Sequence, residues 1–379
     1  MDFIRSESIA CLRQWIADAK RCAVVSHTHP DGDALGSTAG LALFLQTQGK
    51  DVTCLYPDAI AANLRFILPE GLPFHIHNAE KHSAEECILK ADLIFLVDAN
   101  SFSRTEGMES LLKESNARKV LIDHHLNPDT DSFGLVFSTP EISSASEVVY
   151  WILKSLLEEG VVPPTVAARP LPVRRASEEA LATGPSLLHG RGWPWVGGTT
   201  PSSIGSALLT GMTTDTNNFA NSVFPSTLQM ASELLAAGVD RDAILQQVYQ
   251  SYRENRVRLM GYMQSEEMKV LPEGGAYMIL TKAIQHRFDL QEGESEGLVN
   301  VPLSIGKVRL SVLLKEDEGH FRVSVRSKQG TSAQQLAVKY FHGGGHENAA
   351  GGKLFIGEDI PSADAAAEYV EQSLKAFLG

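Results

Sequence analysis

The chain has 379 residues, enough for two domains at about 150 residues each. Apolar residues at 43% and charged residues at 21% exclude a largely disordered chain. The formal net charge of −13 argues against a protein that holds long DNA through its general surface field.

The N-terminal segment is charged throughout and lacks the apolar stretch of a signal peptide. The longest apolar runs, such as 93–97, are too short to cross a bilayer. The four cysteines (Cys11, Cys22, Cys54, Cys87) form no CxxC pair. These features predict a cytoplasmic protein with no membrane association, no zinc finger and no disulfide framework. Charge is unevenly spread: between Arg322 and Lys353, five cations (Arg322, Arg326, Lys328, Lys339, Lys353) face one anion, Glu347. An anion is therefore expected in the C-terminal part.

In chain order, short apolar runs at 23–26, 52–56, 93–98 and 120–123 read as buried strands, and 35–48 and 108–116 have helical spacing. The alternation predicts an α/β domain, a mostly parallel sheet with helices on both faces. A helix is expected over 141–159. The stretch 160–203 then holds seven prolines and six glycines, and reads as a surface insertion. Regular structure resumes at 204–212, with helical stretches to about 268. Strand patterns at 276–281, 308–315 and 321–327, a helix at 332–340 and a terminal helix at 362–378 predict a smaller C-terminal α+β layer. The expected organisation is a catalytic domain at 1–238, a helical linker at 239–270 and a second domain at 271–379.

Ligands collect beyond the carboxyl ends of parallel strands. There the sequence places His27-Thr28-His29-Pro30-Asp31-Gly32-Asp33, then Asp98, then Asp123-His124-His125, and Asp215 after 207–214. Each has an ordinary reading. Asp31-Gly32-Asp33 alone is a turn. As an EF-hand loop it fails, because Leu35 and Ala42 occupy ligand positions although Gly36 is in place. Asp98 or Asp215 alone is a cap, and Asp123-His124-His125 alone is a buried polar cluster. Together they ask for four coincidences. Carboxylates gathered in one small space repel unless cations compensate. A pair of divalent ions is the simplest remedy, and such pairs stabilise both the attacking and the leaving oxygen of a phosphoryl group.

The ordered set His-x-x-Pro-Asp-Gly-Asp-Ala-Leu-Gly-Ser at 27–37, Asp98, Asp-His-His at 123–125 and Asp-Thr-Asn-Asn-Phe at 215–219 resembles the DHH phosphoesterase superfamily. Arg326-Ser327 and Gly343-Gly344-Gly345-His346-Glu347-Asn348-Ala349 resemble its DHHA1 domain, and length and domain pairing resemble the oligoribonuclease and pAp-phosphatase branch. The resemblance implies one metal on His27, Asp31 and Asp98, and a second on Asp33, Asp98, His124 and Asp215, with Asp98 bridging. Imidazole ligands favour a transition ion, so manganese is expected, with cobalt or magnesium as substitutes. Asp98, His124, His125 and Asp123 are implied as the catalytic group, Asp123 orienting a histidine and His125 touching phosphate. Arg326, Ser327, Gly343, Gly344, Gly345 and His346 are implied to bind substrate, the glycines as a backbone nest for an anion.

The expected substrates are short oligoribonucleotides and 3′-phosphoadenosine 5′-phosphate (pAp). A RecJ-like exonuclease, an inorganic pyrophosphatase and a non-catalytic nucleotide sensor are the rivals. A homodimer is a further expectation, although nothing in the sequence decides the oligomeric state. His75, His77 and His82 match no motif and are read as ordinary residues. His29 and His342 receive no role.

Overall fold

The computed structural model describes residues 4–158, 203–291 and 293–379. Apart from Ser203, the Pro/Gly-rich stretch 160–203 lies outside them. The chain divides into two compact units, Met1–Ile60 with Leu64–Gln246, and Ala61–Asn63 with Gln247–Gly379.

The first unit runs α1 (Ser6–Asp18), β1 (Arg21–Val25), α2 (Gly32–Thr47), β2 (Asp51–Tyr56), β3 (Phe74–Ile76), α3 (Lys81–Lys90), β4 (Leu93–Val97), α4 (Glu109–Glu114), β5 (Arg118–Asp123), β6 (Leu135–Ser138), α5 (Ala145–Glu158), α6 (Ile204–Asp215) and α7 (Pro225–Ala236). Its six strands are ordered β3-β2-β1-β4-β5-β6 and every pairing is parallel. Helices cover both faces. Ala23, Val25, Ile94, Leu96 and Leu121 pack with Ala84 and Ile88 of α3 and Leu112 of α4, and α2 and α5 lie against the opposite face. A strand buried on both faces reads as an unbroken apolar run, and β4, Leu-Ile-Phe-Leu-Val, is buried at every position.

The predicted sheet is therefore present, with two strands more than the sequence patterns indicated. β3 and β6 are the short edges, only partly buried, so neither carries the continuous apolar signal of a central strand. Two boundaries also differ. α2 begins at Gly32, three residues before its apolar pattern, because Asp31 caps it and accepts from the Asp33 and Ala34 amides. α5 begins at Ala145, four residues later than expected, since Ser143 and Ser144 precede it outside the helix.

α8 (Arg241–Tyr249) and α9 (Glu254–Tyr262) follow. The second unit then holds β7 (Lys269–Val270), β8 (Gly275–Leu280), α10 (Lys282–Arg287), β9 (Leu310–Glu316), β10 (His320–Ser327), α11 (Ala333–Tyr340), β11 (Gly344–Gly345), β12 (Ala349–Phe355) and α12 (Ala366–Leu378). Its sheet is ordered β11-β12-β10-β9-β8-β7. Only β8 and β9 pair in parallel; the other neighbours are antiparallel. Phe321, Val323 and Val325 of β10 point into a core with Leu336 of α11 and Val370 and Leu374 of α12. This is the expected α+β layer. β12 escaped the sequence reading because Ala-Ala-Gly-Gly-Lys-Leu-Phe has little β propensity. Among the described residues, no helix is long and apolar enough to cross a membrane.

Candidate metal centre

In a 3-2-1-4-5-6 sheet the strand order reverses between β1 and β4, and the crevice opens beyond their carboxyl ends. His27 and Asp31 follow β1, Asp98 follows β4, and Asp123 to His125 end β5. Asp98 adopts a left-handed backbone, φ 59°, a strained conformation outside glycine that concentrates at functional sites. Its amide donates to Ile122 O at 3.0 Å, tying the turn after β4 to β5.

Asp215 arrives differently. It is not at a strand end, as its sequence context suggested, but is the last residue of α6. The approach of α6 to α2 brings it in. Gly32, Gly36 and Gly40 line the α2 contact, and a Cβ on Gly36 would lie 2.5 Å from the Ala207 carbonyl oxygen. Only glycine allows the two backbones to meet so closely.

The side chains converge. Donor atoms of His27, Asp31 and Asp98 lie within 4.8 Å of one another, and so do those of Asp33, His124 and Asp215. Asp98 faces both sets: Oδ2 is 3.3 Å from His27 Nε2, and Oδ1 is 3.4 Å from His124 Nε2. His124 Nε2 is also 3.7 Å from Asp215 and 3.9 Å from Asp33. Asp33, Asp98, Asp123, His27 and His124 are all buried.

The donor set fits divalent cations. His27 Nδ1 lies 2.7 Å from Thr28 O and is the donor there, because a carbonyl only accepts. Nε2 is thereby left with its lone pair toward Asp98. A lone pair facing a carboxylate at 3.3 Å is repulsive unless a proton or a metal stands between them. The protonation energetics show the same demand. Burial works against charge on His124, yet Asp98, Asp215 and Asp33 override it and push its pKa up to about 10. The His27 pKa is raised likewise: burial opposes its charge, and Asp98 outweighs it. Burial also works against charge on Asp98, but His124 and His27 hold its carboxyl well below the usual range. Asp33 goes the other way, raised by burial and by the charges of Asp98 and Asp215.

Asp123 turns to His125 rather than His124. Its Oδ1 is 2.7 Å from His125 Nδ1, and Oδ2 accepts the His125 amide at 3.0 Å. Arg104 Nη1 stands 2.9 Å from His125 Nε2. Guanidinium only donates, so Nε2 accepts and the proton sits on Nδ1. Burial lowers the His125 pKa, consistent with a neutral ring in that tautomer.

Sequence reasoning missed two supports. Arg104 lies in the short 3-10 turn Phe102–Thr105, where nothing but its charge marks it. The first amides of α5 are the second: Ala145 N donates to Asp33 Oδ2 at 2.6 Å and Ser146 N to Oδ1 at 2.9 Å. A helix N-terminus is a ready anion site. Buried Glu147 steadies it by accepting from the Ser143 amide and the Thr227 hydroxyl. The run Ser143-Ser144-Ala145-Ser146 was the available signal.

The C-terminal candidates belong to the second unit. Arg326 lies on β10 opposite Ala349, its Nη1 donating to Val325 O at 3.0 Å and to Ala350 O at 3.4 Å. Ser327 is buried; its hydroxyl donates to Thr331 O at 2.6 Å and accepts from Asn348 at 3.0 Å. It therefore holds the turn carrying Asn348 rather than offering a hydroxyl outward. The glycines also differ from a simple nest. The Gly343 amide donates to Ala337 O, the His346 amide to Ala349 O, and Gly344–Gly345 form the edge strand β11. Glycine is needed at 343 because a Cβ there would overlap the Gly351 carbonyl.

At the switch point of this parallel sheet, two carboxylate–imidazole donor sets stand on either side of Asp98, the kind of arrangement that suits a metal-dependent phosphoesterase. Residues 21–179 match the DHH family, N-terminal domain, and residues 276–374 match the DHHA1 domain. The chain belongs to the DHH family and is a hydrolase of that family. It is 28% identical over 334 residues to the bifunctional oligoribonuclease and PAP phosphatase NrnA of Thermus thermophilus, covering 87% of this chain and 83% of the relative. It is 25% identical over 341 residues to the probable NrnA of Streptococcus mutans, covering 88% and 89%. A crystal structure of an exopolyphosphatase-related protein from Bacteroides fragilis superposes with TM-score 0.81 at 33% identity, over 99% of this chain and 97% of that one.

Proposed function

We propose that the chain hydrolyses short oligoribonucleotides to mononucleotides and 3′-phosphoadenosine 5′-phosphate to AMP. The observation that carries the two-metal reading is Asp98, whose two oxygens face two separate donor sets. The substrate choice is supported by relatives named oligoribonuclease and PAP phosphatase over nearly the whole chain.

His27, Asp31 and Asp98 would hold one ion, and Asp33, Asp98, His124 and Asp215 the other; manganese suits the mixed imidazole–carboxylate set. When bound, the ions supply Lewis acidity to the phosphoryl oxygens and neutralise the carboxylates. Asp31 is held by capping α2, and Asp33 by the N-terminus of α5. Asp123 fixes the His125 ring, and Arg104 at its far nitrogen brings the positive charge that an incoming phosphoryl oxygen needs. Arg326, with the β11 edge and His346, grips the nucleotide phosphate, and Ser327 positions the turn beside them.

The test is side-by-side turnover on pAp, pentauridylate, pyrophosphate and tripolyphosphate, with manganese and with chelator. AMP from pAp and UMP from pentauridylate, both abolished by chelator, are expected. Turnover confined to pyrophosphate or tripolyphosphate overturns the substrate assignment, and tight pAp binding without turnover makes the protein a sensor.

A further inference from the structure

Arg326 accounts for only part of the cationic stretch 322–353. The antiparallel register places Arg322 on β10 opposite Lys315 on β9 and opposite Lys353 on β12. Three cations thus stand side by side across three strands. They share the face turned away from the α11–α12 core, because Phe321, Val323 and Val325 take the core side and strand residues alternate. Like charges directly opposite one another destabilise a sheet. Asp317, 3.3 Å from Arg322 Nε, offsets part of this charge. A row of three cations on one sheet face still favours an incoming anion.

The rest of the face says which anion. One step beyond the row, His320 lies opposite Phe355, their rings 5.9 Å apart and tilted by 36°, and His342 meets Phe355 at 5.5 Å. In the other direction, toward β12 and β11, the floor is small and neutral: Ser324 pairs with Gly351, and Gly351 with Gly344, while on the β9 side Ser324 faces Leu313, which is buried in a core with Leu259 and Leu298. Arg326 then stands four residues from Arg322, about 13 Å along the strand. Positive charge at both ends of a neutral floor, with aromatic rings beyond, matches single-stranded nucleic acid, in which phosphates alternate with sugars and stacking bases. A bare polyphosphate chain presents charge continuously and has no group for the rings.

We propose that this face of the second sheet binds the trailing nucleotides of a single-stranded oligonucleotide, one backbone phosphate on the Lys315–Arg322–Lys353 row and one base against Phe355 and His320. This deepens the proposed function by assigning a subsite that an oligonucleotide fills and pAp, too short to reach it from Arg326, does not.

Binding of 5′-fluorescein-labelled pentauridylate, followed by anisotropy in EDTA so that nothing turns over, tests it. The Lys315→Gln/Arg322→Gln/Lys353→Gln variant removes mutual repulsion and should fold. It is expected to bind about tenfold more weakly, with a log–log salt slope shallower by about 0.7 because one phosphate is no longer neutralised. Lys353→Glu, at an exposed position, should lose affinity in the same direction. Phe355→Leu keeps apolar bulk and should cost about tenfold through weaker stacking, leaving the salt slope unchanged. Unlabelled pAp should bind all variants as it binds the wild type. Wild-type affinity and slope in both charge variants would overturn the proposal, as would stronger competition by tripolyphosphate than by unlabelled pentauridylate. If the wild type binds pentauridylate through this face but releases no UMP when manganese is restored, the subsite stands and the hydrolytic reading falls. UMP release with binding indifferent to the row gives the reverse.

Discussion

Asp98 presents Oδ2 to His27 and Oδ1 to His124 from a left-handed backbone, which suits it to the bridging role proposed for it. Asp98→Ala should therefore lower both metal content and activity more than loss of any other ligand. Removing a group that merely supports a ligand costs about 10–100-fold, so this variant should lose more than about a hundredfold in kcat/KM. Two equivalents of manganese retained in the purified variant would contradict the bridging role. The neighbouring histidines make a second prediction. The His124 pKa is raised from 6.5 to about 10 by its carboxylate partners. Without metal, its proton thus stabilises the fold fully below about pH 6.5, and that contribution is lost as pH rises through about 10. Asp98, displaced downward, contributes above the ordinary carboxylate range, and its share is lost in acid. A metal held by His124, as proposed, displaces its proton, so binding at pH 8 should release about one proton or more. Calorimetry in two buffers of different ionisation enthalpy reads this directly. Affinity that does not rise between pH 7 and 9 would refute it.

At the scale of elements, the site depends on how closely two helices approach. Helix propensity alone predicts that Gly36→Ala gains about 1 kcal/mol. Packing predicts the opposite sign, because the new Cβ would sit 2.5 Å from the Ala207 carbonyl oxygen and the α6 backbone cannot yield as a side chain could. Overpacking typically costs about 1–3 kcal/mol. Urea unfolding of metal-free Gly36→Ala should show a net loss, and manganese affinity should fall because Asp215 rides on α6. A more stable variant with unaltered metal binding would mean that α6 does not set the position of Asp215. The same helix-scale logic governs Asp33, whose carboxylate takes both oxygens' partners from the first turn of α5.

Across the whole molecule, every proposed metal ligand belongs to the first unit, while the second has its own core around Phe321, Val323 and Val325. A ligand that binds only the folded state stabilises what it binds, by about 2.7 kcal/mol at a hundred times its Kd. Chelation should therefore lower the unfolding midpoint of the first unit in differential scanning calorimetry and leave the transition of the second in place. Equal shifts of both would show that the ions' stabilisation is not confined to the unit that supplies their ligands. The charge distribution follows the same division: carboxylates crowd the donor sets of one unit, and the Lys315–Arg322–Lys353 row lies on a sheet face of the other.

Much of this was legible in the residues. The apolar runs of β1, β2, β4 and β5 are strong because a strand buried on both faces has no polar position to interrupt it. The acidic and histidine clusters after them stand out because a polar group straight after such a run has few structural reasons to be there. The edge strands β3 and β6 and the glycine-bearing β12 were not legible, since their pairing is imposed by neighbours rather than by their own propensity. Nor was the true position of Asp215, or the roles of Arg104, Ala145 and Ser146. Composition along the chain determines which segments must be buried and which chemistry is present. Which carboxylate meets which histidine, which amide meets Asp33, and which cations share a face depend on distances between segments that lie apart in the chain, by 112 residues for Asp33 and Ala145. Those are settled only when packing selects one arrangement of the elements.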